Sequence, residues 1–399
     1  MTGRGRWAVT GAVMIAIGIC LLAAGHVSRP GSEAMTELDE IRAESPTPAS
    51  KPAHTAPAPA NESSSIPPWA RGAPYSCRVA VRIRTACDPA DFSGAPEDPD
   101  DLGEQVAMMW AAGASRPEWC FVAEDESGAR VGRVGYRVEP TVTNPAWLGT
   151  LPPVELFPFG LWLPWEHGGC DLGRVLFATT LGRLGTELPA RVDARVNPEL
   201  HDHPRERVRL FDDIGMDLFQ EKEGFAWRNS GAPSPPPGRL RFATALETGR
   251  DLYQDVMARA GRDTLDRNDR WYRDHMDEAH WAAQMMEYLQ EEDSESWLVA
   301  ADAAGDLIGM VAVSTFEPGV ATVTFIGVIP DHRGRGYGHD LLQAATSEAQ
   351  GRGFEEMLSD VDTLNQPMID AMRSAGHLDG VRPWHIWHYR AEVATLVDY

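Results

Sequence analysis

Residues 326 to 342 read IGVIPDHRGRGYGHDLL, an apolar run, then glycines at 334, 336 and 338, then the start of an amphipathic stretch. Glycine reaches positive φ without strain and lets a ligand touch the main chain, at an entropic cost. A turn needs one such residue; three at alternate positions ask for another reason. The amides of residues 333 to 338, the positive end of a helix starting near Tyr337, and the flanking Arg333 and Arg335 together make a cradle for a diphosphate. A nucleotide P-loop is excluded, because GxxxxGK[ST] requires a lysine and this stretch has none. GxGxG also departs from the dinucleotide fingerprint GxGxxG, although Asp360 and Asp362 end the next strand as a ribose-binding acid would.

Outward from the loop the periodicities are legible. Strands are predicted over 240–246 and 320–329, helices over 249–260, 277–291 and 337–350, and two strands about a turn at Gly305 and Asp306. A strand over 355–361, a helix over 366–375 capped by Asn365 and stopped at Gly376, and a last strand over 384–392 follow. A hairpin ahead of the glycine loop makes this a mixed α/β sheet and not a doubly wound one.

The first half echoes the second. VRIRTA (81–86) resembles LRFATA (240–245), WCFVAEDESG (119–128) resembles WLVAADAAG (297–305), and FGLWLPW (159–165) resembles FIGVIPD (325–331), in the same order. The division this predicts is 77–228 and 239–399, with the Pro/Gly-rich NSGAPSPPPG (229–238) as linker. At the place of the glycine loop the first copy has LPWEHGGCDLG (163–173), where Glu166 and Asp171 would repel phosphate.

The chain has 399 residues, a net charge of -23 and 43% hydrophobic residues, a globular composition whose charge argues against a nucleic-acid partner. Five cysteines in no CxxC pair indicate neither a zinc ribbon nor a disulfide framework. His385 and His388, three apart on a strand, point to opposite faces, so no metal is expected there. Residues 8–27 are almost wholly apolar and long enough to span a bilayer, and 28–76 read as a disordered Pro/Ala/Ser-rich tether. Translation from Met35 would delete the apolar segment, so membrane contact is expected only if residues 8–27 are made.

With these residues on the page, VIPDHRGRGYG resembles the coenzyme A motif of the GNAT superfamily of N-acetyltransferases, Arg333, Gly336 and Gly338 standing at its fixed places. Asn365 followed by Gly376 and His377 resembles that family's second motif. The resemblance implies two tandem GNAT-like domains, each a mixed, mostly antiparallel sheet flanked by helices, with the second copy intact and the first degenerate. It implies acetyl-CoA as co-substrate and a small-molecule or peptide amine as acceptor. Ile326, Gly327 and Val328 would meet the pantetheine, Arg333, Gly334, Arg335, Gly336, Tyr337, Gly338 and His339 the pyrophosphate, with Asn365 nearby. The catalytic region would then be cytoplasmic, where that coenzyme is made.

Direct attack of an amine on a thioester needs a base, an oxyanion donor and an acid for the thiolate. The Val328 amide is the expected oxyanion donor. The family's usual tyrosine is replaced by Met372, so Tyr389 on the last strand is the expected substitute, and Glu317, Asp360 and Asp362 are the candidate bases. Trp271, Tyr272 and Trp281, amid acids in 264–286, suit a cationic amine. The other reading of an intact cradle without its acid is a noncatalytic acyl-CoA sensor or scaffold.

Overall fold

The computed structural model describes residues 81–94, 101–138, 154–187, 190–198, 201–231, 238–288, 291–317, 319–379 and 386–397. The apolar segment 8–27, the tether 28–76, Cys77 and His385 lie outside them. Among the described residues no helix is long and apolar enough to cross a membrane.

In chain order the elements are β1 (Arg82–Thr85), α1 (Gly103–Ala111), β2 (Cys120–Glu124), β3 (Arg130–Arg137), β4 (Val154–Trp162), α2 (Gly169–Gly185), β5 (Ala190–Val196), α3 (Pro204–Asp213) and β6 (Asp217–Arg228). After 232–237 come β7 (Arg241–Thr244), α4 (Ala245–Thr248), α5 (Arg250–Ala260), α6 (Arg267–His275), α7 (Glu278–Tyr288), β8 (Trp297–Ala301), β9 (Leu307–Glu317) and β10 (Val320–Val328). Then follow α8 (Tyr337–Gly351), β11 (Glu356–Asp362), α9 (Gln366–Ser374), β12 (Leu378–Asp379), β13 (Ile386–Glu392) and α10 (Val393–Val397).

The fold is mixed α/β with a mostly antiparallel sheet flanked by helices. Its strand order is β1-β2-β3-β4-β5-β13-β6-β11-β10-β9-β8-β7, with β12 on β6. Read from either edge, the order repeats: three antiparallel steps, one parallel step, then an antiparallel neighbour contributed from elsewhere in the chain. The parallel steps are short. β4 meets β5 only at Val154–Leu156 with Ala190–Val192, and β10 meets β11 only at Val320–Thr322 with Glu356–Leu358. Beyond those residues each pair splays, and a cleft opens toward the ends of the strands.

The centre of the sheet is an exchange. β6, the last strand of the first half, pairs with β11 along Glu356–Asp362, and β13, the last strand of the chain, pairs with β5 along Arg191–Val196. The cores follow the strands. Phe225 of β6 packs with Leu342, Val361, Ile369 and Met372, while Tyr389, Val393 and Leu396 from the end of the chain pack with Phe177, Leu181 and Phe211. Each large apolar side chain so buried contributes about 1.5–3 kcal/mol, so the two halves hold each other's last strand by hydrophobic burial as well as by the ladder. Helices α5 and α7 cover one face of β8–β10 through Tyr253, Val256 and Trp281, which meet Phe325 of β10, and α8 covers the other through Leu341, Ala344 and Ala345.

Candidate functional site

The register of β10 decides which way its main chain points. Gly327 stands opposite Met310 and Val328 opposite Gly309, and the Ile329 amide donates to the Ile308 carbonyl at 2.9 Å. In an antiparallel pair, hydrogen-bonded and non-bonded residues alternate. Gly327 and Ile329 therefore turn their polar groups to β9, and Ile326 and Val328 turn theirs into the splay between β10 and β11. Gly327 is glycine because a Cβ there would lie 2.9 Å from the Cβ of Ala260 at the end of α5.

The chain then makes a tight turn at Pro330–His332 and reaches the glycines. Gly334 and Gly336 have φ of 74° and 81°, a region that side chains with a Cβ adopt only under strain, and Gly336 caps α8. The helix starts at Tyr337, as the sequence predicts. The amides of Tyr337, Gly338 and His339 lie in its first turn, where no intrahelical acceptor exists, and the dipole of a fifteen-residue helix points the same way. His339 Nδ1 is 3.0 Å from Ser374 Oγ, which ties α8 to α9.

Three arginines act on this corner in different ways. Arg335 is exposed, with one guanidinium nitrogen 3.0 Å from the Asp331 carbonyl. Arg333 does not extend to the cradle as a flanking charge: it donates to the carbonyls of Val328 (2.9 Å), Asp263 (2.9 Å), Ala260 (3.0 Å) and Arg262. Arg239, not singled out in the sequence, donates to the Arg335 carbonyl at 3.2 Å and to the buried Asp340 carboxylate, and its guanidinium lies 5.0 Å from the Tyr337 ring centroid. It stands at the first residue of the second copy, where no local pattern marks it.

Residues 260–267 cross the mouth of the splay as a strap. Arg333 fastens one end to β10. At the other end Arg267 grips Asp362 of β11 through Nε (2.9 Å), a terminal nitrogen (2.9 Å) and its own amide (2.9 Å). Asp362 also accepts from Gln220 Nε2 (3.0 Å) and the Leu364 amide (2.9 Å). Within the strap Asp263 has φ of 50°, one of two non-glycine residues in the left-handed region among those described. Such strain persists where the surroundings over-determine it, here through Arg333.

Beyond the strap, Lys222 Nζ lies 2.7 Å from Asp360 and 3.8 Å from Asp266, and Asp266 caps α6 by accepting from the Asn268 and Asp269 amides (2.9 and 3.0 Å). Burial works against ionisation of Asp360 and Asp362, but Lys222 and Arg267 more than offset it, and both carboxyls titrate below their ordinary value. Asp269 is different: burial and the neighbouring Asp266 push it up to about 7.

The structure brings Ile326, Gly327, Val328 and residues 333–339 to one corner. Asn365 accepts from the Met368 amide at 3.4 Å as the cap of α9. Met372 is buried in the core and takes a contact from Ser359 Oγ at 3.5 Å. Other expectations need correction besides that for Arg333. Glu317 stands at the closed end of the β9–β10 hairpin opposite Val320, eight residues before Val328; at about 3.3 Å per residue that is roughly 26 Å from the cleft. Tyr389 sits three strands from β10, packed at 5.6 Å against Phe211 in the first half's core with its hydroxyl on Asp212, because β13 is exchanged. The aromatics expected to take a cationic acceptor are engaged internally. Trp271 lies 3.1 Å from the Arg191 guanidinium, Tyr272 donates to Glu155, and the buried Trp281 lies under Arg273 at 4.7 Å. His388 is buried and pushed down to about 3 by that burial, and no metal-binding cluster occurs among the described residues.

In the first half Gly168, φ 86°, starts α2 at the corresponding corner. There Arg207 donates to the Leu161 carbonyl (3.0 Å) and lies 5.3 Å from Trp165, which stacks on His203. That corner is occupied by the chain's own side chains.

Parts of the chain are similar to known proteins. Residues 264–377 match the acetyltransferase (GNAT) family. A streptothricin acetyltransferase from Streptomyces lavendulae is 39% identical over 87 residues, which are 21% of this chain and 46% of that protein. The chain thus spans about half the length of the curated relative it matches. A GCN5-related N-acetyltransferase from Sphaerobacter thermophilus, at 19% identity and a TM-score of 0.53, shares the fold over 78% of this chain and 96% of that one. Residues 264–377 thus match a GNAT acetyltransferase domain, the domain of an acyltransferase family.

Proposed function

We propose that this chain is an acetyl-CoA-dependent N-acetyltransferase acting on a primary amine. The observation that carries the reading is the main chain of Ile326 and Val328 turned into the splay beside the first turn of α8, whose cap Gly336 has no side chain to satisfy its amides. Pantetheine is an extended diamide, suited to a strand edge that offers alternating donors and acceptors. The pyrophosphate fits the amides from Gly334 to His339, with Arg335 and Arg239 supplying positive charge. The Val328 amide stabilises the tetrahedral oxyanion. Met372 supplies no proton, so the departing thiolate takes its proton from the newly acylated nitrogen or from water.

The relative named a streptothricin acetyltransferase favours a small-molecule acceptor over a peptide. Residues 239–399 form the catalytic copy and 77–228 a degenerate one, its corner filled by Arg207, Trp165 and His203. A cytosolic donor places the catalytic region in the cytoplasm. Thiol release from acetyl-CoA, followed with a panel of small primary amines that includes streptothricin, tests the reading. Amine-dependent thiol release supports it, whereas tight coenzyme binding with no transfer to any amine indicates a sensor or scaffold instead.

A further inference from the structure

We propose that Asp269, on α6, is the general base that deprotonates the acceptor ammonium. This rests on the acetyltransferase reading above and adds the residue that reading leaves open. The strap from Ala260 to Arg267 is fastened to Val328 through Arg333 and to Asp362 through Arg267, so α6 begins directly over the open end of the cleft. Asp269 lies in the first turn of α6 and, three residues from Asp266, on the same helix face.

The acids at this mouth have distinct tasks. Asp362 is held by the forked Arg267 and by Gln220. Asp360 is held by Lys222, and Asp266 spends an oxygen capping α6. Among the described residues none donates a hydrogen bond to the Asp269 carboxylate. The charged groups that face it are Asp266 from the strap, Lys222 from β6, Asp360 from β11 and Arg273 from its own helix. Burial and the two acids outweigh the two cations and push it up to about 7, where a base both exists in its charged form and binds a proton well. Lys222 stays charged beside Asp360, so the ammonium meets the acids Asp266, Asp269 and Asp360 against the cations Lys222 and Arg273.

The step balances as follows. The acceptor enters as an ammonium and gives one proton to Asp269. The freed lone pair forms the C–N bond at the thioester carbonyl, and the oxyanion rests on the Val328 amide. Collapse breaks the C–S bond, the nitrogen loses its second proton to the departing thiolate, and Asp269 returns its proton to solvent.

The test uses the full chain, an amine that turns over in the panel, and calorimetric titration of acetyl-CoA into each variant. Asp269→Asn is expected to lower kcat/KM by about 100-fold or more. It should remove the acid limb centred near pH 7 and leave coenzyme affinity unchanged, while Asp269→Glu restores part of the rate. An Asn variant that keeps the rate and the acid limb overturns the assignment. So does one that loses coenzyme binding, which marks a structural role. Failure of the unsubstituted chain to bind acetyl-CoA, or to acetylate any amine, overturns the acetyltransferase reading itself.

Discussion

The Arg333 side chain reaches back five residues to donate to the Val328 carbonyl at 2.9 Å, and the same guanidinium holds the carbonyls of Ala260, Asp263 and Arg262. One residue therefore joins the strand that would bind the coenzyme to the strap that would cover the acceptor. Arg333→Ala should cost about 2–3 kcal/mol of stability, since charge-assisted bonds to carbonyls are the stronger kind. Arg333→Lys should recover little of it, because an ammonium cannot present the planar fork. Urea unfolding of the three proteins measures this, and equal stability of all three would contradict the pinning.

The second relationship crosses the halves. Arg390 of β13 pairs with Asp193 (2.8 Å) and Glu155 (2.9 Å) of the first half and donates to the half-buried Asn268 of α6 (2.7 Å); Arg390, Asp193 and Glu155 are buried. Arg390→Met leaves the buried Asp193 without its arginine and leaves Glu155 with Arg191 (3.3 Å) and Tyr272, a loss of about 3–5 kcal/mol. Because α6 rests on this network through Trp271 and Tyr272, the surviving folded protein should show a raised acceptor KM with coenzyme affinity unchanged. An unchanged acceptor KM would separate the network from the site.

The exchange of β6 and β13 predicts that neither 77–228 nor 239–399 folds alone, and that the two co-expressed pieces recover one cooperative unfolding transition. Near-ultraviolet circular dichroism of each piece checks this. A well-packed isolated half would contradict it.

His377 is 2% exposed, and neither ring nitrogen has a protein partner among the described residues. Burial pushes it down to about 4, below its ordinary value of 6.5. The unfolded chain therefore binds the proton more readily, and the stability present above pH 6.5 is lost as pH falls toward 4. The slope is at most about 1.4 kcal/mol per pH unit for this one group. His201 and His388, also pushed down by burial, to about 3 each, act in the same direction. His377→Phe should flatten the decline measured by thermal unfolding across that range; an unaltered slope would exclude His377 as a contributor.

The strands and helices around the glycine loop were legible because their apolar periods are regular. The predicted helix over 337–350 lies at Tyr337–Gly351 and the predicted strand over 320–329 at Val320–Val328. Helix α6 was not placed, since RNDRWYRDH has no aliphatic residue to set an apolar period, and its aromatics bind Arg191, Glu155 and Arg390 from distant strands. The strand exchange was also hidden. A strand's period tells which face is buried but not which neighbour its edge will find, and that misplaced Tyr389. Arg239 and the strap escaped for the same reason, as their partners lie about a hundred residues away or across the cleft.

The central claim is that the corner formed by Ile326, Val328 and the loop 333–339 binds acetyl-CoA, and that the first half's corresponding corner does not. Calorimetric titration of acetyl-CoA into residues 77–399, beside the same protein with Gly336→Glu, tests it most directly. One site per chain, lost on a substitution that puts a carboxylate and a Cβ at φ 81°, is the predicted result. Absence of binding to the unsubstituted protein, or binding that survives Gly336→Glu, would contradict it.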